Sequence, residues 1–177
     1  PYDPERAKQL LVEAGYPQGF DAGTLTPVPN YFSMGETVSN YLRAIGIRTT
    51  LQTMERTAFF TQRRERTLKG LILDVLGGVG HAATVLETIA VSWGTRVSGG
   101  YPDLDDLFRQ QEKEHDRGTR QTILHDIQRR IHERVMLAPL FQFSWLVGVN
   151  RRVVEPALGR IPLYPYSAPY EDVVVAG

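Results

Sequence analysis

The chain has 177 residues, enough for one sizeable core, and its 20 basic and 20 acidic side chains cancel. This balance excludes a strong field towards nucleic acid or anionic lipid, and the absence of cysteine excludes disulfides and zinc–thiolate sites. No apolar run reaches the ~20 residues of a membrane helix. The chain begins Pro1-Tyr2-Asp3, without an initiator methionine or a signal peptide, so we expect a segment of a longer protein.

Apolar periodicity in the first half predicts helices alternating with strands. The predicted elements are a helix from Pro4 to Gly15, a strand over 21–28, a helix over 33–46, a strand over 47–54, a helix over 57–68 and a strand over 71–76. Asp3 is placed to cap the first helix, and Ser33 and Glu36 have the spacing of a capping box. The run over 71–76 is rich in branched residues and predicts a central strand buried on both faces.

The second half continues the same alternation. Its predicted elements are helices over 84–91, 102–116 and 119–137, a strand over 140–149 and a valine strand over 173–175 without an obvious partner. The long helix and the strand over 140–149 would form the last crossover of the fold. Together the two halves predict an α/β fold in which helices flank a mixed sheet.

A glycine turn follows the predicted central strand, with Gly77, Gly78 and Gly80 close together. Open α/β sheets usually bind ligands beyond the carboxyl ends of their strands, so this turn is a candidate binding site. A tight strand–helix connection with no ligand is the alternative reading of the same pattern.

Catalytic and metal-binding patterns are absent from the sequence. His125 and His132 lie about 10 Å apart along one helix, too far to share a metal ion. A nucleophile elbow, a phosphate loop and a HExxH pair are all missing. We therefore predict no catalytic residue, no metal site, no cofactor and no enzymatic activity; a hydrolase or transferase that depends on His81 is the least favoured alternative.

Blocks of sequence along nearly the whole chain form a recognisable series. They are YDPERAKQLL (2–11), EAGYPQGF (13–20), YLRAIGI (41–47), FF (59–60) followed by Arg63, YPDLDDL (101–107) and APLF (138–141). In this order they resemble the family 5 extracellular solute-binding proteins. These are the dipeptide, oligopeptide and nickel receptors of bacterial ABC importers.

The resemblance implies one lobe of a type II (cluster C) periplasmic-binding-protein fold. Residues 1–155 would form the second, C-terminal lobe, and residues 156–177 would return towards a first lobe that supplies the neighbours of the valine strand. The implied function is to capture a peptide-like or carboxylated small solute in the cleft between lobes and deliver it to an ABC permease. The full-length protein would be a monomer in the periplasm, or lipid-anchored outside the membrane.

A second function stays open, since the same lobe could serve as the solute-sensing effector domain of an intracellular transcriptional regulator. A helix-turn-helix encoded upstream would favour the regulator, and a signal peptide would favour the receptor.

The resemblance also assigns residues to the solute site. The site includes Gly78 in the glycine turn. Where peptide receptors of the family have a tryptophan followed by a glycine, this chain has Val79 and Gly80. Where they have the aspartate that binds the ammonium group of the peptide, this chain has Ala82, with His81 beside it. Because a buried ammonium needs a paired charge or acceptors, Ala82 makes capture of a free peptide N-terminus by this means unexpected.

Two arginines and two aromatic residues complete the predicted site. Arg56 and Arg63 suit an anionic or carboxylated solute, because guanidinium pairs bidentately with carboxylate. The alternative for Arg63 is a structural ion pair with Glu65 or Asp74. The aromatic candidates, Tyr31 and Phe32, follow the first strand and are suited to stacking on a solute, although Phe32 fits a core position equally well. Trp145 is interpreted as core and Trp93 as a loop residue that marks an interface if exposed.

Overall fold

The computed structural model describes residues 2–77, 81–97, 99–144, 146–161 and 167–176. It contains two compact units, Pro1–Leu76 and Gly77–Gly177. Among the described helices, none combines the length and apolar character that a membrane crossing requires.

The first unit alternates helices and strands as predicted. Its elements are α1 (Pro4–Glu13), β1 (Phe20–Pro27), α2 (Phe32–Ala44), β2 (Ile47–Leu51), α3 (Arg56–Arg64) and β3 (Leu71–Leu73). The three strands form a parallel sheet in the order β2-β1-β3. At the start of α1 the Asp3 carboxylate accepts a hydrogen bond from the Arg6 N–H at 2.9 Å, which confirms the predicted cap.

The start of α2 differs from the prediction. The Tyr31 N–H donates to the Val28 carbonyl at 3.1 Å, and Asn30 takes a left-handed φ of 79°, so the chain has turned before Ser33. The helix begins at Phe32 and Tyr31 makes no side-chain capping bond, so the predicted capping box is wrong. Farther along, Gly35 lets α2 lie close to the sheet, because a Cβ there would stand 2.9 Å from Pro27 Cγ.

The central strand of the described sheet is β1 rather than the predicted strand over 71–76. β1 pairs on both sides, and its Leu25 and Thr26 are 2% and 0% exposed. By contrast, β3 ends at Leu73 and its Leu71 is 41% exposed. Directly after β3, the Asp74 carboxylate accepts a hydrogen bond from the Val75 N–H at 2.8 Å.

The second unit is mainly helical. Its elements are α4 (Ala82–Ile89), α5 (Pro102–Lys113), α6 (Arg117–Glu133), β4 (Val153–Glu155), a 3-10 turn (Tyr170–Asp172) and β5 (Val174–Val175). The three helices share one apolar core, formed by Ala83, Leu86, Ile89, Ala90, Val91, Leu104, Phe108, Ile123, Leu124, Ile127 and Ile131.

The end of α6 comes earlier than predicted. Ile123, Ile127 and Ile131 are buried as expected, but the helix stops at Glu133 and Val135 is 74% exposed with φ +50°. The Met136 N–H donates to the Ile131 carbonyl, and the Val135 N–H to the His132 carbonyl. This is a Schellman C-cap, which satisfies the last carbonyls of the helix and reverses the chain.

Two predictions about strands in the second unit are wrong. Residues 140–149, which were expected to complete a crossover, contain no strand in their described part; Trp145 lies outside the described residues. The valine strand does have a partner in this chain: β5 pairs antiparallel with β4, and the Ala176 N–H donates to the Arg152 carbonyl at 2.7 Å. Sequence alternation alone could not identify a partner as short as β4.

Candidate functional site

The carboxyl edge of the parallel sheet gathers the candidate residues of the first unit. Because β1, β2 and β3 run parallel, the segments that follow Pro27, Leu51 and Leu73 leave the sheet at the same edge. Main-chain bonds tie this edge together: the Val28 N–H donates to the Leu73 carbonyl at 2.8 Å, and the Gln52 N–H to the Leu25 carbonyl at 2.9 Å. Such an edge is the usual ligand site of an open α/β sheet.

The connection from β1 to α2 contains Tyr31 and leads into Phe32. Tyr31 is the residue before the first turn of the helix and Phe32 is its first residue. Both side chains are half-buried, so Phe32 is neither a fully buried core residue nor a freely exposed one. The sheet therefore presents two partly accessible aromatic rings at the edge where a solute is expected.

Arg56 is the first residue of α3, and its guanidinium lies over the ring of Phe60, with Cζ 5.0 Å from the ring centroid. The helix start is fixed by Glu55, whose carboxylate accepts hydrogen bonds from the Thr57 and Ala58 N–H groups at 2.7 and 3.2 Å. Among the described residues, no carboxylate forms an ion pair with Arg56, and its side chain is exposed. Arg56 therefore offers a positioned cation to an anionic group.

Arg63 has its charge matched within the first unit. Its Nη1 donates to the Asp74 carboxylate at 2.6 Å, and the two side chains are 16% and 18% exposed. The guanidinium also lies 4.7 Å from the Phe60 ring centroid. Of the partners left open by the sequence, the structure selects Asp74 rather than Glu65. Since a mostly buried ion pair is costly to separate, Arg63 is better placed to hold Phe60 and the end of β3 than to receive a solute directly.

His81 and Ala82 belong to the second unit, at the start of α4. His81 caps the helix, because its Nδ1 accepts a hydrogen bond from the Ala83 N–H at 3.1 Å. That bond fixes the neutral tautomer with its proton on Nε2, so the ring presents a hydrogen-bond donor. Ala82 is exposed and carries no polar group. Gly78, Val79 and Gly80, the other predicted residues of this turn, lie outside the described residues.

The first unit thus offers two partly accessible aromatic rings and one cation without a carboxylate partner among the described residues, and these groups can hold a solute by stacking and ion pairing. In the part of the chain that the structure describes, no group of three acidic or histidine side chains is arranged to hold a metal ion. Phe60 supports both arginines, a role that was not predicted from the sequence. Its signal was the spacing Arg56, Phe60, Arg63, which places all three side chains on one face of a helix.

A charged clamp, formed by Asp103, Arg130 and Arg134, joins α5 to α6 in the second unit. The Asp103 carboxylate accepts hydrogen bonds from Arg134 at 2.6 Å and from Arg130 at 2.6 Å, and these bonds lower its pKa to about 2. The same bonds raise the pKa of both arginines. Asp103 begins α5, as predicted for the acids after Pro102, but it also binds the end of α6. The clamp's charges are used in holding the two helices together.

Comparison with known proteins finds two relatives that are named as binding proteins. No family model matches the chain. It is 38% identical to heme-binding protein A of Haemophilus influenzae over 95 residues, which are 50% of this chain and 17% of that protein. It is 26% identical to the nickel-binding periplasmic protein of Escherichia coli over 194 residues, which cover 97% of this chain and 36% of that protein.

A solved structure supplies the fold. The dipeptide-binding protein of Pseudoalteromonas sp. SM9913, in complex with Met-Leu, superposes on 76% of this chain and 29% of its own with a TM-score of 0.66 and 23% identity. The resemblance to the family 5 extracellular solute-binding proteins is confirmed. The predicted fold class, part of a type II periplasmic-binding-protein fold, is confirmed with it. The chain spans about a third or less of the length of these two relatives.

Proposed function

We propose that this chain is the C-terminal part of the solute-binding protein of an ABC importer. The observation that carries the proposal is the alignment of 97% of the chain with a periplasmic binding protein, the nickel-binding protein of E. coli. The parallel sheet supports it, because its carboxyl edge presents binding groups without a nucleophile–base pair in the described residues. The whole protein would capture a solute between two lobes and release it to a membrane permease.

In this proposal residues 1–155 form the second lobe, and residues 156–177 return towards the first. The solute cleft is lined by residues that the resemblance assigned: Tyr31, Phe32, Arg56, Gly78, Val79, Gly80, His81 and Ala82. Arg63, which the resemblance also assigned, supports this cleft through Phe60 and Asp74 and does not contact the solute. The full-length protein acts as a monomer outside the cytoplasm, in agreement with the periplasmic relative.

The solute we propose is a carboxylated small molecule or a peptide-like compound with a blocked or absent ammonium group. Arg56 supports the carboxylate, because its charge is unmatched in the described structure and its guanidinium is held over Phe60. The Nε2 proton of His81 adds a donor for a solute oxygen. Ala82 supports a solute without a free ammonium group, because its side chain provides neither a hydrogen-bond acceptor nor a negative charge.

Calorimetry on the full-length protein tests the solute class. The titrants are the dipeptide Met-Leu, its N-acetyl derivative, its C-terminal amide and a carboxylate-free diamine. We expect the two carboxylates to bind tighter than the amide by about 10-fold or more, since a charge-assisted hydrogen bond contributes about 1.5–3 kcal/mol. N-acetyl-Met-Leu should bind tighter than Met-Leu, because Ala82 leaves a buried ammonium group without a partner. Tighter binding of the diamine would contradict the proposal.

A matched pair of variants locates the carboxylate. Arg56→Gln should weaken binding of N-acetyl-Met-Leu by about 10-fold, whereas Arg64→Gln, an exposed arginine at the end of the same helix, should leave it within about twofold. Equal effects of the two variants would show that general positive charge, rather than the Arg56 position, attracts the solute. The coding sequence upstream of Pro1 tests the receptor role: a signal peptide supports it, and a helix-turn-helix contradicts it.

A further inference from the structure

A cavity at the amino edge of the parallel sheet takes no part in the proposed solute site. This amino-edge cavity has a volume of about 370 Å³ and is lined by residues within 8–19 and 43–46, which belong to α1, the end of α2 and the turns that lead into β1 and β2. The solute residues of the first unit follow the opposite, carboxyl ends of these strands. Since β1 has 8 residues and a strand rises about 3.3 Å per residue, the two places lie roughly 25 Å apart.

The two turns of the amino-edge cavity are held together by a close main-chain contact. The Phe20 N–H donates to the Gly46 carbonyl at 3.2 Å, and a Cβ on Gly19 would stand 1.9 Å from that oxygen, so the contact requires glycine. The N–H groups of Tyr16, Gly19 and Gly46 all donate to carbonyls within their own turns. A ligand in this cavity must therefore be held mainly by side chains.

The walls of the amino-edge cavity are apolar and accessible. In the described structure no residue of α1 is buried, and Val12, which lines the cavity with Leu11 and Ile45, is 57% exposed. The ring of Tyr16 also lines the cavity and is held against Phe20, with ring centroids 4.9 Å apart. An apolar ligand group can bury itself against these side chains and against the face of the ring.

The polar side chains at the amino-edge cavity are hydrogen-bond donors. Its described lining includes Lys8 and Arg43 and no acidic residue. Arg43 donates to the Asn40 side chain at 3.4 Å, and no carboxylate among the described residues pairs with it. Lys8 pairs with Glu5 at 2.9 Å, but these side chains are 48% and 76% exposed, so the pair is weak. The Gln18 amide, which has no hydrogen-bond partner among the described residues, adds a further donor.

We propose that the amino-edge cavity binds a second small molecule, a medium-chain carboxylate, at a site distinct from the solute cleft. The carboxylate accepts hydrogen bonds from Arg43 and Lys8, and the apolar chain lies along Leu11, Val12 and the ring of Tyr16. The volume of the cavity is within the range of about 300–1,000 Å³ that is usual for small-molecule sites. The inference does not rest on the proposed function, because every group that it uses lies in the first unit and away from the solute edge.

Calorimetry on the full-length protein tests the class of this ligand. The titrants are octanoate, acetate, inorganic phosphate and octan-1-ol. We expect octanoate to bind tighter than each of the others by about 10-fold or more, because it alone combines a negative charge with an apolar chain. Absence of octanoate binding would overturn the proposal. Equal binding of acetate or phosphate would also overturn it, since the cavity would then attract any anion.

Two matched pairs of variants locate the octanoate. Arg43→Gln should weaken its binding by about 10-fold, whereas Arg48→Gln, an exposed arginine outside the cavity lining, should leave it within about twofold. Val12→Asp brings a negative charge into the lining and should weaken binding by about 10-fold or more, whereas Gln9→Asp on the same helix should change it by about twofold at most. All four positions are exposed, so the variants should fold. Equal effects within either pair would contradict the proposal.

Amide hydrogen exchange separates this site from the solute cleft. We expect octanoate to slow exchange in peptides covering 8–20 and 40–48, and N-acetyl-Met-Leu to slow it in peptides covering 52–66. If octanoate slows exchange only in 52–66, it occupies the solute cleft and the proposal for the amino-edge cavity is wrong. If octanoate protects 8–20 and no carboxylated solute protects 52–66, the cavity proposal stands and the solute assignment fails.

Discussion

The two units of the chain use their polar groups differently. In the sheet unit, Pro1–Leu76, Arg63 is matched by Asp74 while Arg56 is held over an aromatic ring with its charge unmatched among the described residues. In the helical unit, Gly77–Gly177, Arg130 and Arg134 both bind Asp103. The first arrangement leaves a cation for a ligand, and the second uses its cations to join helices. Arginines of similar sequence context therefore differ in function through the partners that the fold gives them.

The apolar core should account for the largest stability effect. Ile127 on α6 is fully buried in the core of the helical unit. We expect Ile127→Ala to reduce the free energy of unfolding by about 4 kcal/mol, through lost apolar contacts and the cavity left behind. Urea denaturation followed by circular dichroism measures this. His125→Ala, on the exposed side of the same helix, is the control, and a loss of less than about 1 kcal/mol for Ile127→Ala would show that the core repacks.

Breaking the ion pair of the sheet unit should have the next largest effect. Asp74→Asn keeps the size of the side chain and an acceptor for the Val75 N–H but removes the charge opposite Arg63. Because both partners are mostly buried, we expect a loss of about 2 kcal/mol, somewhat below that of a fully buried pair.

The control for that pair is Glu65→Gln, which changes the other acid that the sequence allowed as a partner and should cost less than about 0.5 kcal/mol. A double-mutant cycle with Arg63→Gln measures the coupling directly. Additive losses for the two substitutions would show that the pair contributes nothing by itself.

The clamp of the helical unit should show the smallest effect, and one that depends on pH. The pKa of Asp103 is about 2 in the folded chain against an ordinary value of 3.8, so its contribution is fully present above about pH 4 and is lost as the pH falls towards 2. Unfolding midpoints in urea between pH 2 and 5 should therefore fall less steeply for Asp103→Asn than for the unchanged chain. Asp106→Asn, an exposed neighbour, serves as the reference.

Parallel pH profiles of the unchanged chain and Asp103→Asn would contradict the clamp. The pKa of Asp116 is also lowered, by its hydrogen bonds from Thr119, and it will retain part of the acid sensitivity in the variant. The expected difference is therefore a shallower pH dependence of the unfolding midpoint in Asp103→Asn, and not the complete loss of that dependence.

The sequence predicted those elements whose causes are local. Asp3 caps α1 through a bond to a residue three positions away, and the isoleucines of α6 face the core because their spacing matches the helical turn. The Arg63–Asp74 pair was left open between two acids, since only the position of β3 beside β1 decides which carboxylate is near. The assignment of the solute residues depended on the family resemblance and stays a prediction.

The errors come from features that depend on distant contacts. Residues 71–76 and β1 are both apolar strands, and only the order β2-β1-β3 shows which lies in the middle. The fourth-residue repeat continued to Val135, but a C-cap bonded through Met136 ended α6 earlier. The alternation over 140–149 was real, yet a strand also needs a neighbour, and none is present among the described residues of this chain.

Asp74 has a consequence beyond its charge. One oxygen of its carboxylate receives Arg63 from α3, and the other receives the N–H of Val75, next to the residue at which the sheet unit ends. A single side chain thus holds both the guanidinium of Arg63 on α3 and the main chain directly after β3.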